Sequence, residues 1–280
     1  MGLITDNPVL EREVRGRLRL RRKGAGRAVP LVAWPIGLVA LYFYARGLAA
    51  IGRGRSQDAQ DLLPVLIYGA LTLIVLLAPA LASTAITQER EQQTWDALAT
   101  TRLSAWEILF GKWVGRQIIP WLIIALAVPY LLACMFFGGM GLAALPGVLA
   151  FLVITTAFYS ALGLLCSFQA RRTAGATATA LTFTALLCVG TVIVNGVIQI
   201  LQPRSNGYSD SWVMWLNPFY VLSSLLAWLG RGIVYQNSTG SPTDMNPLQV
   251  GFYLLVSVVA IAAALRFMVS RYGRAVRERT

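Results

Sequence analysis

The sequence contains no histidine and few charged residues. Only 13 % of its 280 residues are charged, whereas 56 % are hydrophobic; a typical soluble domain has about a quarter charged residues. Without histidine, the chain lacks the commonest metal ligand and the usual general base. Apolar stretches of more than about 18 residues recur, and such a stretch spans the hydrocarbon core of a bilayer as a helix. The composition therefore predicts an all-α polytopic membrane protein.

Sequence signatures of catalysis are also absent. Lys23 and Lys112 are the only lysines, and neither lies in a Gly-x-x-x-x-Gly-Lys-Ser/Thr phosphate loop. No Ser-His-Asp arrangement is possible either, so we expect this chain not to be an enzyme. The three cysteines, Cys134, Cys166 and Cys188, lie in apolar runs and are interpreted as packing residues rather than disulfides or metal ligands.

Six membrane spans are predicted within one transmembrane domain, 1–280, and no cleavable signal peptide is evident. The spans cover 29–51, 62–86, 117–137, 146–168, 175–201 and 248–269. No Asp, Glu or Lys lies inside them, which argues against the proton relays that ion-coupled transporters place in the membrane.

Basic residues determine the predicted orientation. With the N-terminus inside, 19 of the 24 basic residues fall in cytoplasmic segments and five fall outside. Basic loops stay on the cytoplasmic side, so both termini are expected there. The net charge of +12 has the same explanation, and we expect no nucleic-acid partner.

The N-terminal segment, 1–28, carries eight of the basic residues. Leu10, Val14 and Leu18 recur every four residues against this basic background. The pattern predicts an amphipathic elbow helix lying on an anionic leaflet. The alternative is a solvated basic tail.

The segment 202–247 contains a further apolar stretch, 212–229, interrupted by Asn217-Pro218. A full crossing here would place the Arg-rich C-terminus outside, against the charge rule. We therefore predict an extracytoplasmic segment with a re-entrant or interfacial pair of short helices, packed against the bundle or a partner.

The segment 87–116 holds four of the twelve acidic residues between two apolar runs. Thr94 is suited to cap a short helix, 95–101, in which Trp95, Leu98 and Ala99 share a face. One interpretation is a helix that rests on lipid. The other is a helix that inserts into a groove on a cytoplasmic partner.

The same segment resembles ATP-binding-cassette type-2 exporter permeases, whose pattern is roughly Glu-x-x-x-Gly-Thr-x-x-x-Leu, a Thr-Pro-Leu-Ser-like turn, a glutamate and Gly-Lys. The chain departs from it at Gln93, where Gly is usual, and at Arg102, where Pro is usual. The segment from Asn7 to Glu13 and the dipeptide Asn217-Pro218 also resemble segments of proteins in this family. The matching residues are Glu89, Thr94, Leu98, Thr101, Leu103, Ser104, Glu107, Gly111 and Lys112.

This resemblance implies a cytoplasmic coupling helix that docks on a separate nucleotide-binding ATPase subunit, where ATP and Mg²⁺ are bound. It also implies two permease subunits, identical or homologous, above two ATPase subunits in the bacterial cytoplasmic membrane. The glutamates are candidates for pairing with basic groups on the ATPase, which sets register more than affinity. The expected coupling residues are Glu89, Glu91, Thr94, Trp95 and Leu98.

Polar residues on the second and fifth spans are the candidate substrate pathway, because the resemblance implies that these spans line the cavity. The resemblance implies export, and the mild polarity of these residues suits a lipid-like or amphipathic compound. The alternative is helix packing through Ser and Thr hydrogen bonds. The candidates are Thr184, Thr191, Asn195, Gln199, Thr72 and Ser83.

Two other functions stay open from the sequence. An ion-coupled transporter would need intramembrane carboxylates, which the predicted spans lack. A non-transporting membrane scaffold would use the coupling helix to anchor a cytoplasmic partner.

Overall fold

The computed structural model describes residues 56–93, 104–136, 141–201, 211–229 and 247–277. All regular secondary structure in these stretches is helical, which confirms the all-α class. The α-helices are α1 Ser56–Ser83, α2 Thr87–Glu91, α3 Ala105–Arg116, α4 Ile118–Phe136, α5 Leu145–Gln169, α6 Thr173–Ala185, α7 Thr191–Leu201, α8 Pro218–Leu229 and α9 Pro247–Arg277. Short 3₁₀ helices cover Leu142–Ala144 and Trp212–Leu216, and a π-helix covers Leu186–Gly190.

Within the described stretches, five helical segments are long and apolar enough to cross a membrane. The predicted first span, 29–51, and the elbow helix, 1–28, lie outside the described residues, so the count of six spans stays a prediction. The five segments are Leu63–Glu91, Ala105–Leu132, Leu142–Gln169, Thr173–Leu201 and Leu248–Tyr272.

The helices extend beyond the predicted spans. The helical structure leading into the third span begins at Ala105, because Ser104 and Glu107 form a reciprocal capping box. Polar residues of α3 therefore belong to a helix that continues, through a turn at Gln117, into α4. The last helix likewise continues to Arg277. A run of apolar residues indicates the part of a helix that spans the lipid, but it does not indicate the polar extension of that helix.

Helix α1 lies at the centre of the bundle and packs against α4, α5 and α6. It approaches α5 closely at Gly163, where a Cβ would lie 2.4 Å from the Pro79 carbonyl oxygen. Small residues allow helix backbones to approach in this way in membranes. Leu71, Ile74 and Phe151 are among the buried residues of the main apolar cluster.

Helices α6 and α7 lie at the edge of this bundle. In the apolar, membrane-spanning part of Thr173–Leu201 only 17 % is buried, whereas in that of Leu142–Gln169 56 % is buried. Exposed side chains include Phe183, Leu186 and Ile193. The fifth predicted span therefore presents a broad apolar surface to its surroundings.

The apolar stretch 212–229 forms two short helices, Trp212–Leu216 and α8, separated at Asn217. This agrees with the break predicted at Asn217-Pro218; its place on the outer face stays a prediction. Pro218 begins α8, a position where the missing N–H of proline does no harm. Helix α8 packs against α9 and α5. We call these two helices the short-helix pair.

Candidate functional site

The polar junction consists of α2, the turn 170–172, and the side chains of Ser167, Thr173 and Lys112. It lies where the candidate span beginning at Leu63 ends, at Glu91. Charged and hydroxyl side chains here connect helices that are far apart in sequence. Each contact satisfies a helix end or a buried charge.

Ser167 of α5 begins the junction by capping α2. Its Oγ accepts hydrogen bonds from the Ile86 and Thr87 backbone N–H groups at 3.0 and 3.1 Å. The first turn of a helix has N–H groups without intrahelical partners, and α2 has no capping side chain of its own. A buried hydroxyl from α5 therefore fixes the position at which α2 starts.

Arg90 and Glu91 contact the two helix ends at the turn 170–172. Arg90 Nη1 donates to the Ala170 carbonyl at the end of α5, at 2.9 Å. Glu91 Oε1 accepts from the Thr173 backbone N–H at the start of α6, at 2.7 Å. The carbonyl end of a helix carries partial negative charge and the N–H end partial positive charge. Neighbouring residues of opposite charge thus bind the two helix ends that match them.

Glu89 forms an ion pair with Lys112 of α3, with 2.5 Å between Glu89 Oε1 and Lys112 Nζ. Lys112 is 1 % exposed and Glu89 is 16 % exposed. A buried ammonium needs a negative partner because its desolvation is costly. This pair joins α2 to α3.

Further polar contacts extend the junction along α1. Arg116 Nη1 donates to the Leu81 carbonyl at 3.1 Å and to Thr84 Oγ1 at 2.8 Å. Ser83 Oγ lies 2.9 Å from Thr177 Oγ1 and joins α1 to α6. The end of α1, the start of α6 and α3 therefore form one hydrogen-bonded unit.

The structure brings together two of the expected coupling residues, Glu89 and Glu91, and it engages both within the chain. Their pairing with basic groups on an ATPase stays a prediction. The other three, Thr94, Trp95 and Leu98, lie outside the described residues. Gln93 just before them has φ = 57°, the left-handed conformation that glycine adopts most easily. The pattern that this segment resembles has glycine at this position, and the left-handed conformation of Gln93 favours glycine.

The candidate pathway residues of the fifth span mostly make contacts inside the chain. Thr184 is buried and donates to the Ala180 carbonyl. Thr191 is buried and accepts from Asn217 Nδ2 at 2.9 Å. Asn195 Oδ1 accepts from the Ser211 N–H at 3.2 Å, and Gln199 is half-buried. These are the contacts of helix packing; a role in a substrate pathway stays a prediction.

The two candidate pathway residues of the second span, Thr72 and Ser83, differ in burial. Thr72 is exposed and donates to the Tyr68 carbonyl in its own helix. Ser83 is fully buried in the contact between α1 and α6. The structure therefore does not gather Thr72 and Ser83 into one surface.

Ser167 and Thr173 are the junction residues that sequence reasoning did not identify. Both lie beside the turn 170–172, where α5 ends and α6 begins. Ser167 lies in the last turn of α5 and Thr173 begins α6, and both contact α2. Their partners, however, lie 80 or more positions away along the chain.

Comparison with known families identifies the family to which this chain belongs. The family described as ABC-2 family transporter protein matches residues 24–275. Comparison with curated proteins gives no match. Together with the apolar helices, the family match supports a multi-pass membrane protein.

Proposed function

We propose, since the chain belongs to the ABC-2 transporter family, that it is the membrane-spanning permease subunit of an ATP-driven transporter. Its energy comes from a separate nucleotide-binding ATPase subunit, because this chain has no phosphate loop. ATP and Mg²⁺ belong to that subunit. The permease itself carries out no catalysis and holds no cofactor.

The observation that carries the proposal is the attachment of α2 to three other helices. Ser167 of α5 caps its first turn, Lys112 of α3 pairs with Glu89, and Thr173 of α6 donates to Glu91. A displacement applied just beyond α2 would reach α3 and α6 through charged contacts rather than through a flexible loop. This is the connection a transporter needs between an external motor and its spans.

The proposal includes the finer architecture expected from the sequence. Six spans follow an N-terminal elbow helix, and a coupling helix around Trp95 and Leu98 docks on the ATPase. Both termini lie in the cytoplasm of a bacterium, as the distribution of basic residues favours. The short-helix pair then lies at the outer face.

Two permease subunits and two ATPase subunits form the proposed complex. The exposed apolar side chains of α6 and α7 support this arrangement, because a second permease copy or lipid must cover them. The proposed cargo is a lipid-like or amphipathic compound, moved by export. An apolar surface interrupted by the exposed Thr182 supports such a cargo.

Co-purification tests the proposal. The tagged chain is purified from its native membrane, and the phosphate-loop ATPase that is retained is identified and quantified. Trp95→Ala and Leu98→Ala are expected to reduce retention about tenfold or more, because buried aromatic and apolar anchors dominate such interfaces. Gln92→Ala is the matched control, since Gln92 is exposed and close by.

Several outcomes contradict the proposal. One is full ATPase retention by both variants with normal membrane insertion. Another is a retained ATPase whose activity never depends on the permease, which favours a scaffold. Uptake by vesicles containing the chain alone, without ATP, favours an ion-coupled transporter.

A further inference from the structure

The fifth predicted span contains a π-helix, Leu186–Gly190, between α6 and α7. A π-helix results from one extra residue in a helical turn, and it shifts the hydrogen-bond ladder. Such turns are uncommon and are frequent at functional sites and at helix bends. Cys188 lies within this turn and is half-buried. Thr191, the first residue after the turn, is buried.

Asn217, which lies between the two helices of the short-helix pair, binds this turn directly. Its Nδ2 donates to the Cys188 carbonyl at 2.8 Å and to Thr191 Oγ1 at 2.9 Å. Its Oδ1 accepts from the Phe219 N–H at 3.0 Å. Since Pro218 has no N–H, Phe219 supplies the first backbone donor of α8. One side chain therefore caps α8 and binds the π-helix.

A second polar contact joins the same elements further along α7. Asn195 Oδ1 accepts from the Ser211 N–H, just before the 3₁₀ helix Trp212–Leu216. The opposite side of α7 is exposed, with Ile193 and Ile200 among its apolar residues. Polar contacts on one face thus hold α7 to the short-helix pair, while its apolar face is exposed among the described residues.

We infer that the π-helix is the point where the fifth span bends, and that Asn217 makes α7 and the short-helix pair move as one body. Asn217 is then a positioning residue for transport, and this last step rests on the proposed function. The two halves of the span, α6 and α7, are attached to different parts of the molecule. Helix α6 is held at the polar junction by Glu91, and α7 is held by Asn217.

Asn217→Ser separates the two roles of the side chain. Serine is as good a helix cap as asparagine, so the cap on α8 is kept. Its hydroxyl is too short to reach the Cys188 carbonyl. Thr191→Val removes one of the two acceptors with little change of shape and serves as the second variant. Thr182→Val is the control, because Thr182 is exposed and lies in α6, before the π-helix.

The test measures distances between nitroxide labels in the full chain in liposomes, with the native cysteines replaced by alanine. Labels at Val194 and Trp228, both exposed, report on α7 and α8. We expect a narrow distance distribution in the parent and in Thr182→Val. Asn217→Ser is expected to broaden it at least about twofold, because a local opening that the two hydrogen bonds oppose becomes populated. An unchanged width in both Asn217→Ser and Thr191→Val overturns the inference.

A second label pair, at Ala178 and Val194, spans the π-helix. In the complex with the ATPase subunit, ATP with Mg²⁺ is expected to shift this distance and to leave the 194–228 distance unchanged. A fixed 178–194 distance contradicts bending at the π-helix. The first measurement uses no nucleotide, so failure to find an ATPase contradicts only the proposed function.

Discussion

Glu91 caps α6 from another helix, accepting hydrogen bonds from the Thr173 N–H at 2.7 Å and from Thr173 Oγ1 at 3.0 Å. Helix α6 has no capping side chain at its own N-cap, Arg172. Arg90, the neighbour of Glu91, holds the end of α5. The position of α2 is thus coupled to the helix ends on both sides of the turn 170–172.

Glu91→Ala is expected to lower the free energy of unfolding by about 1 kcal/mol, the usual effect of losing a capping side chain. Unfolding in mixed SDS micelles, followed by tryptophan fluorescence, measures the change. The exposed neighbour Gln92→Ala is the control and is expected to have little effect. Equal unfolding midpoints for the two variants would show that the cap does not stabilise α6.

Glu89→Gln is expected to destabilise the protein by about 3 kcal/mol, because it removes the carboxylate that pairs with the buried Lys112 ammonium. Lys112→Met in the same chain is expected to recover much of this loss, since the buried positive charge is gone. The same unfolding assay on both single variants and the double variant gives the coupling energy. Additive effects of the two substitutions are the result that contradicts a direct ion pair.

Gly163→Ala is expected to destabilise the contact between α1 and α5 by about 1–3 kcal/mol, the range for overpacking a filled site. The added Cβ meets backbone atoms of Pro79, which do not move independently of α1. Gly69→Ala in α1 is the matched control, because a Cβ there meets nothing within 4 Å. Thermal aggregation in detergent compares the two variants, and the reverse order of stability would refute the packing argument.

Gln93→Gly is expected to stabilise the protein by about 1 kcal/mol, because a side chain in the left-handed region costs about 1–2 kcal/mol. The gain is partly offset by the greater freedom of glycine in the unfolded chain. Gln92→Gly provides the comparison, since Gln92 has φ = −83° and has no such strain. A lower unfolding midpoint for Gln93→Gly than for Gln92→Gly would contradict the prediction.

The amino-acid sequence by itself determined the class of the protein. Long apolar runs without Asp, Glu or Lys permit only helices that satisfy their own backbone in lipid, so the all-α class follows from composition. The break at Asn217-Pro218 followed from the missing N–H of proline. The motif from Glu89 to Lys112 was enough to indicate the transporter family that the match over 24–275 bears out.

Only the tertiary structure decided which partners the polar side chains have. Glu91 and Thr173 are 82 positions apart, and Asn217 and Cys188 are 29 apart. Periodicity places Thr191 and Asn195 on one face of a helix, but it gives no indication of what that face contacts. In a bilayer a polar residue avoids lipid equally well by facing a cavity or by bonding a neighbouring helix. The choice between them depends on the packing of the whole chain, which no local pattern encodes.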